Sequence, residues 1–130
     1  EYGDNGQLWS KAAYKDGKPD GQWEEYIITY KADNTLQSSG KLRYKGTYKD
    51  GKEDGQWEEY HDNGKLFYKD IYKDGNLDGL SEGYHENGQL FSKGTYKDNE
   101  RDGQWEYYDE NGKLEEKESG MYKDGVKQDD

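Results

Sequence analysis

A repeat of 24 residues constrains the fold of this chain more than any other feature of its sequence. Three series of markers run in register along the chain, which makes chance similarity an inadequate explanation. Asp-Gly pairs begin at Asp20, Asp54, Asp78 and Asp102; leucines that follow a glycine by two positions are Leu8, Leu42, Leu66, Leu90 and Leu114; Tyr-Lys-Asp-Gly or a near copy begins at Tyr14, Tyr48, Tyr72, Tyr96 and Tyr122. A chain with such a period stacks one small unit on the next.

Each unit carries two turn signals, and both indicate β-hairpins. Asn-Gly, as at Asn63-Gly64, predicts a tight type I′ turn, whereas Lys-Asp-Gly-x-x-Asp-Gly predicts a looser one. Helix is a poor fit because glycine recurs often and no apolar stripe follows a 3.6-residue period. The nine predicted strands cover about residues 7–14, 22–30, 41–48, 56–61, 65–72, 80–85, 89–96, 104–108 and 113–122.

The predicted fold class is all-β: a single elongated, twisted antiparallel meander of repeated β-hairpins, forming one array over residues 1–130. One spacing of 34 residues in place of 24 predicts an extended hairpin at about 27–39. Both chain ends fall inside a unit, so we expect a fragment of a longer array, with open edge strands available for self-association.

Alternation along the strands predicts which residues share a face. It places Leu90, Ser92, Gly94 and Tyr96 together, and the glycine is expected to leave room for an aromatic ring from the adjacent strand. Trp and Tyr residues within a unit lie three positions apart. Either a β-bulge intervenes, or both faces of the sheet carry aromatic rings.

The composition indicates that aromatic rings replace a conventional core. The chain has 14 Tyr and 4 Trp but a net charge of −11, which is otherwise typical of a disordered chain. The acidic balance argues against nucleic acid and makes membrane association unlikely on charge grounds. Cysteine is absent, which leaves the compartment unknown; the missing initiator Met and the composition slightly favour an exported or cell-envelope protein over a cytoplasmic one.

The unit Asn-Gly-x-Leu-x-x-x-Gly-x-Tyr-x-x-Gly-x-x-x-Gly-x-Trp-x-x-Tyr, as in residues 39–60, resembles the MORN repeat, specifically the bacterial variant found in YwqK-like antitoxin-family proteins. This resemblance covers nearly the whole chain. It implies an elongated sheet of stacked hairpins and a scaffolding role, with phospholipid association in some relatives. It implies no catalytic residues.

Three kinds of chemical site are expected to be absent. His61 and His85 are equivalent in successive units, and two strands separate them by about 9.5 Å, too far for a shared metal. The acidic turn at residues 50–55 contains Lys and matches no calcium-loop pattern. Carboxylate pairs such as Glu58-Glu59 recur in several units, which is typical of a solvated strand rather than of one active site. We therefore expect no metal, no cofactor and no enzymatic activity.

Protein–protein interaction or scaffolding is the predicted function, with a protein partner of unknown identity. Two alternatives stay open: carbohydrate or cell-envelope polymer binding through the aromatic face, and peripheral phospholipid association by family analogy. The candidate binding surface consists of Trp23, Trp57, Trp105, Tyr26, Tyr60, Tyr84, Tyr108, Ile28 and Tyr30.

Overall fold

The computed structural model describes residues 6–29, 33 and 40–128, and within these ranges all strands belong to one open antiparallel sheet. The strands are β1 Gly6–Lys15, β2 Lys18–Thr29, β3 Lys41–Lys49, β4 Lys52–Glu53, β5 Gly55–Tyr60, β6 Leu66–Lys73, β7 Asn76–Leu77, β8 Gly79–Tyr84, β9 Leu90–Lys97, β10 Glu100–Tyr107, β11 Gly120–Lys123 and β12 Val126–Lys127. The order β1-β2-β3-β5-β6-β8-β9-β10-β11-β12 follows the sequence, with β4 paired to β3 and β7 to β6. The predicted meander of hairpins is confirmed.

The part of the chain that the structure describes has no helix, and therefore none of the length and apolarity needed to cross a membrane. The predicted extended hairpin depends mainly on residues 30–32 and 34–39, which lie outside the described residues, as does Tyr30 of the candidate surface.

The sequence predicted the tight turn at Asn-Gly and the looser turn at Lys-Asp-Gly, and this prediction was wrong because the structure has them the other way round. The two-residue turns are Asp16-Gly17, Asp50-Gly51, Asp74-Gly75, Asp98-Asn99 and Asp124-Gly125, in which both residues have positive φ, as type I′ requires. At Asn63-Gly64 only the glycine has positive φ. There the Asn63 side chain accepts a hydrogen bond from the Lys65 N–H at 2.9 Å, and the Gly64 N–H donates to the His61 carbonyl. An asparagine that makes this local bond gives a three-residue loop closed by a left-handed glycine.

A β-bulge recurs in β3, β6 and β9 and determines which residues share a face. Gly83 pairs with Ser92 and Tyr84 with Leu90, so Phe91 is an extra residue on β9. Equivalent shifts leave Arg43 and Phe67 as the extra residues on β3 and β6. Because paired residues point to the same face, Leu90 lies on the face opposite Ser92, Gly94 and Tyr96. The expectation that Leu90 joins that group was therefore wrong, since the bulge interrupts the alternation.

One face, which we call the ladder face, carries alternating charges across eight strands. The successive cross-strand partners are Lys11, Glu24, Lys45, Glu58, Lys69, Glu82, Lys93 and Glu106. Opposite charges stand directly across from one another, which avoids repulsion between neighbouring strands. On this face the charges largely compensate one another.

The other face, which we call the ring face, contains Trp23, Tyr48, Trp57, Tyr72, Tyr96, Trp105 and Tyr122 and supplies the core. Trp105 is 1% exposed and Tyr122 is 4% exposed. A Cβ built on Gly94 would lie 2.1 Å from Cδ2 of Trp105, and one on Gly46 would lie 2.0 Å from Cδ2 of Trp57. The role predicted for Gly94, to let a ring lie across the backbone, is confirmed, and Gly46 has the same role.

The ninth predicted strand, residues 113–122, was wrong over most of its length. Leu114 makes only an isolated bridge with Tyr108, the Ser119 N–H donates to the Glu115 carbonyl, and β11 begins at Gly120. In the other units the tyrosine follows the leucine by six residues, whereas here Tyr122 follows Leu114 by eight. Two additional residues cannot keep the strand register, so residues 115–119 leave the sheet as a turn.

Candidate functional site

The aromatic rings of the ring face contact one another edge to face across neighbouring strands. Ring centroids are 5.0 Å apart for Trp23 and Tyr48, 5.0 Å for Tyr48 and Trp57, and 6.3 Å for Trp57 and Tyr72. The interplanar angles are 65°, 84° and 76° respectively. Edge-to-face packing is favourable for aromatic quadrupoles. These four half-buried rings form a continuous row from β2 to β6.

The row of rings is interrupted in the middle of the sheet by a coupled replacement. Ser81 stands where the neighbouring units have tryptophan, and Asp70 stands where they have Gly46 and Gly94. The Ser81 hydroxyl donates a short hydrogen bond to Oδ1 of Asp70. A carboxylate that reaches across the strand thus occupies the space that a ring fills elsewhere. Beyond this point the row resumes with Tyr96 and Trp105, whose centroids are 4.9 Å apart.

An open cavity of about 270 Å³ lies on the ring face between β2 and β6. It is lined by Trp23, Glu25, Tyr44, Tyr48, Glu53, Trp57, Glu58, Glu59, Asp70 and Tyr72. Aromatic rings and carboxylates therefore share one concave surface, and this cavity is the candidate functional site.

The carboxylates act electrostatically on the phenols of the cavity. Burial, followed by the negative charges of Asp70, Glu53 and Glu59, raises the pKa of Tyr72 to about 12. Burial likewise raises the pKa of Tyr48, with Glu53 and Glu25 contributing. The cavity is therefore a region of negative potential with reduced access to water.

Asp70 is a partly buried acid at this site. Burial raises the pKa of its carboxyl group, and the hydrogen bond from Ser81 offsets part of that rise. A buried carboxylate with one hydrogen bond gains from any additional positive partner, because desolvation disfavours the charged form.

The residues of the predicted binding surface divide between the two faces. Trp23 and Trp57 line the cavity. Trp105 is on the same face but is buried, so it supports the sheet rather than offering a contact. The predicted tyrosines and isoleucine of the ladder face are Tyr26, Tyr60, Tyr84, Tyr108 and Ile28.

Hydrogen bonds within the strands place those tyrosines on the ladder face. The hydroxyl of Tyr26 donates to Glu24 at 2.7 Å, and the hydroxyl of Tyr108 donates to Glu106 at 2.6 Å. Residues two apart on a strand point to the same face, and Ile28 follows Tyr26 by two. Of the two alternatives left open by the sequence, the second holds: Trp and Tyr of each unit lie on opposite faces, and both faces carry aromatic rings. The bulges are at Arg43, Phe67 and Phe91 on the neighbouring strands, not between Trp and Tyr.

The sequence analysis missed Tyr48, Tyr72 and the carboxylates Glu25, Glu53, Glu59 and Asp70 as members of the site. The available signal was the pairing of two departures from the unit, aspartate for glycine at position 70 and serine for tryptophan at position 81.

Each of the two histidine side chains contacts a backbone carbonyl oxygen of the next unit. Nε2 of His61 lies 2.7 Å from the Tyr84 carbonyl oxygen, and Nε2 of His85 lies 2.8 Å from the Tyr108 carbonyl oxygen. The described residues contain no cluster of three or more His, Asp or Glu placed to hold a metal ion. Glu58 and Glu59, considered as a carboxylate pair, point to opposite faces because they are adjacent on β5.

The family pattern of the MORN repeat variant matches residues 53–74, 77–98 and 101–124, which together are just over half of the chain. The chain belongs to the MORN repeat variant family. Each matched MORN segment begins two residues after a two-residue turn and contains one β-hairpin, such as β5 and β6 in residues 53–74. MORN repeats are in general non-catalytic modules associated with protein or membrane interaction. A search of curated proteins found no match to this chain.

Proposed function

We propose that this MORN-repeat chain is a non-catalytic protein-interaction module whose partner binds the ring face. The observation that carries the proposal is the cavity lined by Trp23, Tyr48, Trp57 and Tyr72. Half-buried aromatic rings in a concave surface are typical of the centres of protein interfaces. In a single-layer sheet, a partner can reach these rings without any opening of the fold.

The charge distribution supports the ring face over the ladder face. The ladder face places each Glu opposite a Lys, so its field is small at a distance. Arg43 and Asp62 form an ion pair within 4.0 Å, and among the described residues no such pair is found for Glu25, Glu53 or Glu59. The carboxylates of the cavity therefore provide a directional attraction for a partner of positive charge.

Affinity capture from the source cells, with two matched variants, tests the proposal. Glu25→Gln/Glu59→Gln removes two charges from the ring face, and Glu24→Gln/Glu82→Gln removes two from the ladder face. The change in net charge is identical. We expect a specific protein that the wild type and the ladder-face variant capture and that the ring-face variant loses. Capture of the same proteins by all three chains would contradict the proposal.

Peripheral phospholipid association is not proposed, because the carboxylates around the rings disfavour anionic headgroups. Placement within the YwqK-like antitoxin group is proposed on the resemblance of the full repeat unit, as in residues 39–60, alone. Binding of a glycan by the same rings is separated from protein binding by a glycan array, on which we expect no specific signal.

Self-association is a second proposal and rests on the outer edge of the sheet. Within the described ranges, β1 pairs only with β2, so the backbone groups on its outer side are available to another strand. Light scattering over a wide concentration range is expected to show a rise in mass; a monomeric mass throughout would contradict this proposal.

A further inference from the structure

The last complete unit of the sheet contains a cation that the cavity lacks. Cζ of Arg101 lies 4.2 Å from the ring centroid of Tyr122, and Nη1 of Arg101 donates to the Tyr107 hydroxyl at 3.0 Å. This guanidinium is half-buried on the ring face. The chain therefore shows that an arginine side chain fits against the rings of this face.

The corresponding positions of the cavity have the opposite charge. Arg101 pairs across the strands with Tyr96, and in the same way Glu53 pairs with Tyr48. Counting back two units of 24 residues, Glu59 corresponds to Tyr107. In place of a cation with a phenol acceptor, the cavity thus presents two carboxylates beside aromatic rings.

Asp70, which also lines the cavity, adds a further acid. It is partly buried at the end of the ring row and accepts a hydrogen bond from the Ser81 hydroxyl. This unit alone has aspartate in place of the glycine and serine in place of the tryptophan of its neighbours. Rings, carboxylates and space for a side chain therefore coincide at one place in the sheet.

We propose that the cavity between β2 and β6 binds an arginine side chain of the partner protein, with the guanidinium against Tyr72 and Trp57 and with Glu53, Glu59 and Asp70 as its charged acceptors. This inference rests on the proposed function and specifies the chemistry of the partner. The partner would supply to the cavity the guanidinium that Arg101 supplies to the rings of the last unit.

Arginine fits the cavity better than a metal ion or a lysine. The described residues contain no group of three or more acids or histidines placed to hold a metal ion. A guanidinium is planar, stacks on aromatic faces and can donate to several carboxylates at once, whereas an ammonium is more strongly hydrated and compact. The whole chain, with a net charge of −11, also attracts a basic segment over longer distances.

The test is an NMR titration of the ¹⁵N-labelled full chain with a short capped peptide of Gly and Ser that contains one central Arg. The matched peptide has citrulline, which keeps the shape and removes the charge. The indole N–H signals of Trp23 and Trp57 report on the cavity. The indole N–H of Trp105, which donates to the Thr95 carbonyl at 3.0 Å, reports on the integrity of the fold.

We expect the Arg peptide to shift the Trp57 signal in a saturable manner and to leave the Trp105 signal unchanged. Citrulline in place of Arg is expected to weaken binding by about ten-fold or more, which corresponds to the loss of one charged contact. Glu25→Gln/Glu59→Gln should weaken it similarly, whereas Glu24→Gln/Glu82→Gln should not. The apparent affinity should fall as salt rises from 50 to 500 mM.

Equal shifts with the arginine and citrulline peptides would overturn the arginine site, and so would equal affinities of the two double variants whose Trp105 signal is intact. The titration contains no partner protein. A flat titration together with a protein that only the ring-face variant fails to capture would therefore overturn the arginine site and leave the interaction module standing. Saturable arginine binding without any captured protein would leave the arginine site standing and overturn the interaction module.

Discussion

Gly94→Ala should destabilise the sheet strongly, although it adds only one methyl group. The new Cβ would lie 2.1 Å from Cδ2 of Trp105, whereas carbon atoms in contact are separated by about 3.5 Å or more. The ring must therefore move by about 1.4 Å. Trp105 has no free space for this movement, since it is 1% exposed and its indole N–H is bonded to the Thr95 carbonyl.

The size of the effect follows from two limits. Adding a methylene group to a well-packed core costs about 1 to 3 kcal/mol, and loss of the indole hydrogen bond costs about 1 kcal/mol more. Complete expulsion of the ring would expose about 150 to 250 Å², or about 4 to 6 kcal/mol at 25 cal/mol per Å². Because the ring shifts without leaving, we expect a loss of about 2 to 5 kcal/mol in the free energy of unfolding, a large part of the total stability of a small domain.

Urea denaturation followed by tryptophan fluorescence measures this loss. Thr95→Ala, the adjacent position with an exposed side chain, is the control and should cost less than about 1 kcal/mol. The reasoning would be refuted if Gly94→Ala lost no more stability than Thr95→Ala, because Trp105 could then not be seated on the Gly94 backbone.

Three further predictions follow from the cavity and the turns. Burial raises the pKa of Asp70, so between the unfolded and the folded pKa the folded chain binds more protons than the unfolded chain. Stability is therefore lost as the pH rises through that window. Asp70→Asn should gain stability relative to wild type between pH 4 and pH 7 in urea denaturation, and a stability difference that stays constant with pH would contradict this. Tyr72, with a pKa of about 12, should ionise later than an ordinary phenol, so Tyr72→Phe should remove a late step from the alkaline absorbance titration at 295 nm, and loss of an early step instead would count against the cavity electrostatics. Asn99→Ala should cost about 1 to 3 kcal/mol in thermal denaturation, because alanine disfavours a φ of 71° and the Asn99 side chain accepts the Leu77 N–H at 2.7 Å; a cost near zero would show that the turn relaxes.

The sequence predicted the meander because its turn residues recur at fixed spacing and all connections are local. It also predicted that Gly94 lies under a ring, since glycine inside a strand has few other reasons to be there. These features depend on residues close in sequence, which is why they could be inferred.

Features that depend on pairing across strands were not predictable in the same way. Phe91 is the extra residue of a bulge only because Tyr84 pairs with Leu90, and no local pattern specifies that register. The exchange of roles between the Asn-Gly and Asp-Gly turns has a different origin: both dipeptides suit a two-residue turn, and the local bond from the Lys65 N–H to the Asn63 side chain favours the longer loop. The division of Trp and Tyr between two faces, by contrast, follows from their spacing of three residues, because β5 is regular from Trp57 to Tyr60.

The candidate site was predicted only in part. Trp23 and Trp57 were expected in it, but the carboxylates that give the cavity its charge were interpreted as solvated residues. Glu58 and Glu59 look alike in the sequence, yet one belongs to the ladder face and the other to the ring face. Only the strand register separates them.

Hydroxyl-radical footprinting of the chain with and without its captured partner tests the central claim most directly, because each face carries its own aromatic reporters. The account predicts that Tyr48, Trp57 and Tyr72 are protected from oxidation in the complex while Tyr60 and Tyr84 are oxidised as in the free chain. Protection of Tyr60 and Tyr84 with unchanged oxidation of Trp57 would contradict the claim that the partner binds the ring face.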